Sequence, residues 1–207
     1  MKAAIEIRPA RSEDVAEAIA LSLSSGPAML GLIFTTSTKD VKTFLGRAFA
    51  GDAGFLGHGV FTAALLVDGR VAGVGAFYSG VELPRLLWRV LKESFSFYGF
   101  VEGLGVLVRL LRVARMMPSP ARDTHFVTCL GVASQAQGRG VGSALLLHEM
   151  AAARARGKRK LALDVALDNP NAERLYARLG FVVVKQRPPP RAYADRIAPL
   201  RRMELRL

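Results

Sequence analysis

Apolar and polar residues alternate in Ile5-Glu-Ile-Arg8, a pattern that predicts a short strand. Ser12-Glu-Asp-Val follows, with a hydroxyl suited to capping and two acids that complement a helix N-terminus, so a helix is expected to about Ser24, stopped by Gly26-Pro27. Within residues 39–50, Val41, Phe44, Leu45, Ala48 and Phe49 recur at helical spacing. Residues 60–67 and 71–78 are apolar runs joined through Asp68-Gly69, the signal of a hairpin. Beyond residue 122 the pattern predicts a strand over 126–132, a helix over about 139–156 closed by Gly157, a strand over 161–165, a helix over 171–179 and a strand over 181–186. A Pro188-Pro-Pro190 linker then leads to a last strand near 203–207.

Residues 81–122 break this rhythm. Segments 83–93 and 100–117 read as two helices rich in Leu, Val and Phe, before Pro118-Ser-Pro120 breaks the chain. Arg109, Arg112 and Arg115 fall on one side of the second helix. A packed lid or dimer element is the base-rate reading of such amphipathic helices. The wall of a binding pocket comes next. A basic helix lying on a membrane surface comes last, because Glu93 and Glu102 oppose it.

The chain of 207 residues has the length of one domain with a substantial core, and it is expected to be a single domain over 1–207. Its one cysteine, Cys129, lies in a predicted strand and reads as a buried inert thiol; no disulfide framework exists. No signal peptide is expected, because the chain begins with a charged strand, and no uncharged apolar run reaches the roughly 18 residues of a membrane helix. A cytoplasmic location is the expectation. The net charge of +12 is unevenly spread: residues 1–80 carry seven basic and seven acidic side chains, so the whole excess lies later. That half would favour a polyanionic ligand. Nucleic acid is not expected, since no nucleic-acid motif and few aromatics accompany the basic residues.

The same half holds Gln137-Gly-Arg-Gly-Val-Gly-Ser143, directly after the predicted strand 126–132 and at the start of a helix. Gly138, Gly140 and Gly142 let backbone N–H groups converge on an anion, and the helix start adds its own unpaired N–H groups. Two common phosphate motifs fit poorly. No Lys-Ser or Lys-Thr follows the glycines as in a P-loop, and a dinucleotide fingerprint read from Gly138 puts Ser143 at its third glycine position. The ribose-binding acid expected about twenty residues on is replaced by Lys158-Arg159-Lys160.

Gln137-x-x-Gly140-x-Gly142 resembles the Q/R-x-x-G-x-G/A pyrophosphate loop of the GNAT (general control-related N-acetyltransferase) superfamily. Asn169 through Ala172 and Tyr176 to Gly180-Phe181 resembles its second signature, N-x-x-A-x-x-x-Y-x-x-x-G-F, in the right order and spacing. The resemblance implies an α/β fold with a mixed, mostly antiparallel central sheet, splayed at the fourth and fifth strands and flanked by helices. In this chain a helix pair would be inserted after the third strand. It also implies transfer of an acetyl group from acetyl-CoA, as acyl-donor cosubstrate, to a primary amine of a small molecule or protein, without a metal. Leu130, Gly131 and Val132 would pair with the pantetheine arm. Gln137, Gly138, Arg139, Gly140, Val141, Gly142 and Ser143 would wrap the pyrophosphate, and Asn169 would hold the arm.

Tyr176 matches the tyrosine that faces the thioester sulfur in many members, and a phenol can donate a proton to a departing thiolate. Asp164 matches an acid that acts as base in some members. Glu82, His125 and Glu149 are alternatives for that role, while His58 and His148 lack a supporting context. The rival reading is a non-catalytic acyl-CoA-binding module, with the insert as a partner surface. The apolar insert also makes a homodimer an open expectation.

Overall fold

A computed structural model describes residues 5–66 and 68–207. The expected strand end at Val67 lies outside them, as do residues 1–4. Seven strands form one sheet: β1 (Glu6–Pro9), β2 (Phe61–Leu65), β3 (Val71–Ser79), β4 (Thr124–Val132), β5 (Lys160–Ala166), β6 (Val182–Arg187) and β7 (Leu200–Arg206). Their order across the sheet is β1-β2-β3-β4-β5-β7-β6, and only β4 and β5 run parallel. The helices are α1 (Val15–Ser25), α2 (Pro27–Phe34), α3 (Val41–Ala50), α4 (Leu83–Ala114), α5 (Val141–Ala155) and α6 (Pro170–Arg178). The mixed, mostly antiparallel architecture expected from the sequence is present. Among the described residues no single helix is long and apolar enough to cross a membrane.

Residues of α1 to α4 pack on the sheet in one apolar cluster that includes Phe34, Phe44, Phe49, Val74 and Val90. Side chains of α5 and α6 join separate clusters, Leu146, Met150 and Tyr176 with Val127, Leu163 and Met203, and Val141 and Leu145 with Ala64 and Ala72. Every residue of β2 is buried, as expected of a strand covered on both faces. The edge strand β6 differs, since Val182, Val183 and Val184 are all exposed.

Two local expectations are corrected at the N-terminal end. Ser12 does not cap a helix; the chain enters α1 through a 3-10 turn over Ser12–Asp14 without a side-chain cap. Asp14 is the organising residue, because it accepts from the Arg11 N–H at 2.7 Å and takes both terminal nitrogens of Arg8 at 2.7 and 2.8 Å. Gly26-Pro27 does not simply end a helix. Pro27 occupies the first turn of α2, where its missing N–H costs nothing, and the helical segments on either side of Gly26 meet at 106°.

The inserted segment 81–122 holds one long helical stretch broken at Gly99, whose φ of 76° and ψ of −177° are not helical. Its buried face runs through Leu83, Leu86, Val90, Tyr98, Val106 and Val113, so the insert packs on the body. Polar contacts fasten it further. Glu102 accepts from the hydroxyls of Thr36, Ser37 and Thr38 at 3.0–3.1 Å, and Tyr98 donates to the Phe34 carbonyl. Arg109 donates to the carbonyls of Ile33 at 3.0 Å and Thr35 at 3.3 Å, which uses its charge on the end of α2.

Candidate active site

β4 and β5 pair only from Thr124↔Lys160 to Val127↔Leu163. Beyond that point β4 continues against β3, and β5 continues against β7 through Asp164↔Arg202 to Ala166↔Leu200. The two parallel strands therefore diverge. A bulge sits at the divergence: Cys129 and Leu130 together oppose Gly75, between the pairs Ala76↔Thr128 and Val74↔Gly131, and Cys129 has a φ of +51°. An extra residue at this place turns the strand and re-aims its backbone groups.

A cavity of about 460 Å³ opens at the splay. The bulge, the end of β5, Asn169, Ala172 and Tyr176 line one side, while α2, Phe55 and both ends of α4 line the other. A second recess of about 370 Å³, beside Arg115 and the proline linker, is lined by none of the residues at the splay.

The glycine turn has the geometry of an anion site. Gly138 and Gly140 have φ of +73° and +87°, and a Cβ added at either would meet nothing within 4 Å. Among the described residues no backbone carbonyl accepts from the N–H groups of Gly138, Gly140, Val141, Gly142 or Ser143, and no side chain caps α5. The first helical bond runs from the Ala144 N–H to the Gly140 carbonyl at 2.9 Å. Five donors at the positive end of a helix thus converge on solvent.

Other turn residues have different tasks. The Gln137 side chain donates to the Val132 carbonyl at 3.3 Å, so it stitches the turn to β4. Val141 is buried, and a Cβ at Gly142 would press Leu175 at 3.0 Å. Gly142 therefore serves the approach of α5 to α6. Arg139 is exposed and Ser143 half-buried. Leu130 lines the cavity, whereas Gly131 is needed where the backbone of Leu21 comes close, since a Cβ there would lie 2.1 Å from the Leu21 carbonyl oxygen.

Asn169 caps α6, its Oδ1 accepting from the Ala172 N–H at 3.1 Å, while its residue also lines the cavity. Asn171, two residues further on, does not cap the helix. Tyr176 is buried against Phe181 and reaches the cavity wall. Burial alone, with no charge or hydrogen bond contributing, pushes its phenol up to about 12, so the hydroxyl keeps its proton.

Asp164, the expected base, lines the cavity and is paired with a guanidinium. Arg202 Nε and Nη2 donate to its two oxygens at 2.7 and 2.9 Å, and the side chains are only 7% and 2% exposed. Both carboxylate oxygens are thus occupied by guanidinium donors. The alternative bases do not line the cavity. Glu82 accepts from the N–H and hydroxyl of Ser79, both at 2.7 Å. His125 Nε2 lies 3.1 Å from Glu149 Oε2, and Thr62 donates to Glu149 Oε1 at 2.6 Å, in a buried network that does not line the cavity. The His58 ring sits 2.9 Å from the Phe49 carbonyl, also away from the cavity. Cys129 lines the cavity, and burial raises its thiol to about 11, which keeps it an unreactive thiol.

Sequence reasoning missed α2, Arg202 and Asp168. Pro27 followed by Ala28-Met-Leu-Gly-Leu-Ile-Phe34 carried a usable signal for α2. Nothing linear pairs Arg202 with Asp164, because their meeting depends on the β5–β7 register.

Comparisons with known proteins agree with this geometry. Over 97% of its length the chain superposes on 98% of a solved acetyltransferase, with a TM-score of 0.68 and 23% identity. An N-acetyltransferase from Staphylococcus aureus Mu50 has the same TM-score at 18% identity, over 97% of this chain and all of that one. An N-acetyltransferase from Kribbella flavida gives 0.59 at 20% identity, over 99% and 98% of the two chains. At such identities the likeness concerns the fold. No curated protein matches the chain. Residues 36–181, which include both the glycine turn and Tyr176, match the acetyltransferase (GNAT) family, and the chain belongs to that family.

Proposed function

We propose that the protein is an N-acetyltransferase that moves an acetyl group from acetyl-CoA to a primary amine by direct attack. The observation that carries this reading is the neutral phenol of Tyr176 in a cavity at the strand splay, a cavity also lined by the strand that leads into a turn of five unpartnered N–H donors. The donors at Gly138, Gly140, Val141, Gly142 and Ser143 suit a pyrophosphate, and exposed Arg139 adds charge at the same turn. The backbone of Leu130, Gly131 and Val132 and the side-chain amide of Asn169 suit the polar groups of the pantetheine arm.

The thioester supplies the acyl carbon. The amine nitrogen bonds to that carbon, the carbon–sulfur bond breaks, and the thiolate takes a proton from the Tyr176 hydroxyl. Because Asp164 is committed to Arg202, we assign the amine's proton to water in the cavity and give Asp164 a positioning role at the end of β5. The rival, a binding module without turnover, draws on that same pairing of Asp164 with Arg202.

Calorimetric titration with acetyl-CoA tests the donor site. Binding is expected for the wild type and its loss for Gly140→Asp, where the new side chain has room but brings negative charge among the donors. Tyr176→Phe is expected to retain binding and lose about 100-fold in kcat. Wild-type binding without turnover of any amine would favour the module, and a folded wild type that ignores acetyl-CoA would overturn both readings.

A further inference from the structure

The half of the cavity away from the turn is unusual for so basic a protein. Met29 and Ile33 of α2, Phe55, and Leu87, Leu110 and Met117 of the insert form its wall. The chain has 29 Lys and Arg residues, yet no Lys, Arg, His or Glu lines the cavity among the described residues. The nearby arginines are held elsewhere: Arg109 on the carbonyls of Ile33 and Thr35, Arg112 on the Tyr193 hydroxyl at 3.4 Å, and Arg202 on Asp164. Asp164 brings no net charge to an incoming group, because Arg202 neutralises it. Asp168 is the remaining charged residue of the lining, and it is exposed, beside Asn169.

We propose that the acceptor is a monoamine on an uncharged apolar body, seated against the apolar side chains of α2 and the insert. This rests on the acetyltransferase reading above. A second ammonium or a carboxylate on the acceptor would have to shed its water against methionine, leucine and phenylalanine side chains, and the hydroxyls of Ser24, Ser25, Tyr78, Ser119 and Thr128 in the lining offer it no opposite charge. An apolar body gains from the same wall. The chamber also favours the neutral form of the amine, since an ammonium without a counter-charge loses its proton more readily in an apolar site. Asp168 at the exposed rim is placed to meet the ammonium before it enters.

The test compares 2-phenylethylamine, 1,4-diaminobutane and a short peptide with a free N-terminal serine, at saturating acetyl-CoA, with release of the CoA thiol as readout. Calorimetric binding of the same amines to the CoA-saturated protein runs beside it, so that slow turnover still yields a ranking. The expected result is a preference for 2-phenylethylamine of about tenfold or more in kcat/KM, or in affinity, matching burial of a ring. Met29→Asp is expected to shrink that preference by a similar factor, and Leu110→Asp provides the same change from the insert should the first variant fold poorly. Acetyl-CoA binding combined with preference for the diamine or the peptide overturns the inference and leaves the acetyltransferase reading intact. Hexanoyl-CoA used in preference to acetyl-CoA, with loss of discrimination among amines, assigns the apolar half to the acyl chain and also overturns it. Failure of acetyl-CoA to bind overturns the parent reading, and this inference with it.

Discussion

Arg202 and Asp164 face each other across β5 and β7 with their charges almost wholly out of water. Removing one partner of such a pair strands the other, which costs about 3–5 kcal/mol, whereas replacing both by apolar groups is often neutral. Arg202→Met is therefore expected to lose several kcal/mol in urea unfolding, and Arg202→Met with Asp164→Leu to recover most of it. A loss of less than about 1 kcal/mol in the single variant would mean that the pair is solvated. At this scale the sequence was legible where a short motif fixes a backbone. The glycine turn opens α5 and Asn169 opens α6, each where its local signal sets it. Asp164 was read from the same local spacing, but its partner is 38 residues away, and only the sheet register reveals it.

At the scale of the element, the insert was visible as two apolar helices, and the structure adds how they join. Gly99 holds φ and ψ in a region open essentially to glycine alone, with free space around its missing side chain. Gly99→Ala is expected to cost about 1–3 kcal/mol through backbone strain alone, measured by thermal or chemical unfolding. An unchanged midpoint would show that the break can relax. The helix α2 escaped the sequence reading for a related reason, since Gly26-Pro27 serves equally as a stop and as a start, and only the apolar stretch after it decides. That ambiguity mattered, because α2 supplies part of the cavity lining, which stayed unreadable without it.

For the molecule as a whole, acid is the condition that touches most of its buried polar links. Burial acts to raise the Glu149 carboxyl, but hydrogen bonds from His125 and Thr62 outweigh it and leave the group below the usual carboxylate range. The Arg8 side chain, with the Arg11 N–H, holds Asp14 low against the opposing effect of burial. Carboxyls depressed in the folded state stabilise it fully above their unfolded pKa of about 4, and this contribution fades as pH falls through the folded values. Stability is thus expected to drop below about pH 4, with Glu149→Gln giving a flatter profile in acid and a lower plateau at neutral pH. A profile identical to wild type would exclude the network as its source. The exposed valines of β6 have a separate consequence, for colloidal behaviour. An open edge with three consecutive apolar side chains is a template for another edge, and Lys185 and Arg187 within the strand, with the surplus of +12, hold copies apart. Salt that screens this repulsion also screens the pull of the glycine turn on an anion, so rising ionic strength favours self-association and weakens the acetyl-CoA binding proposed above.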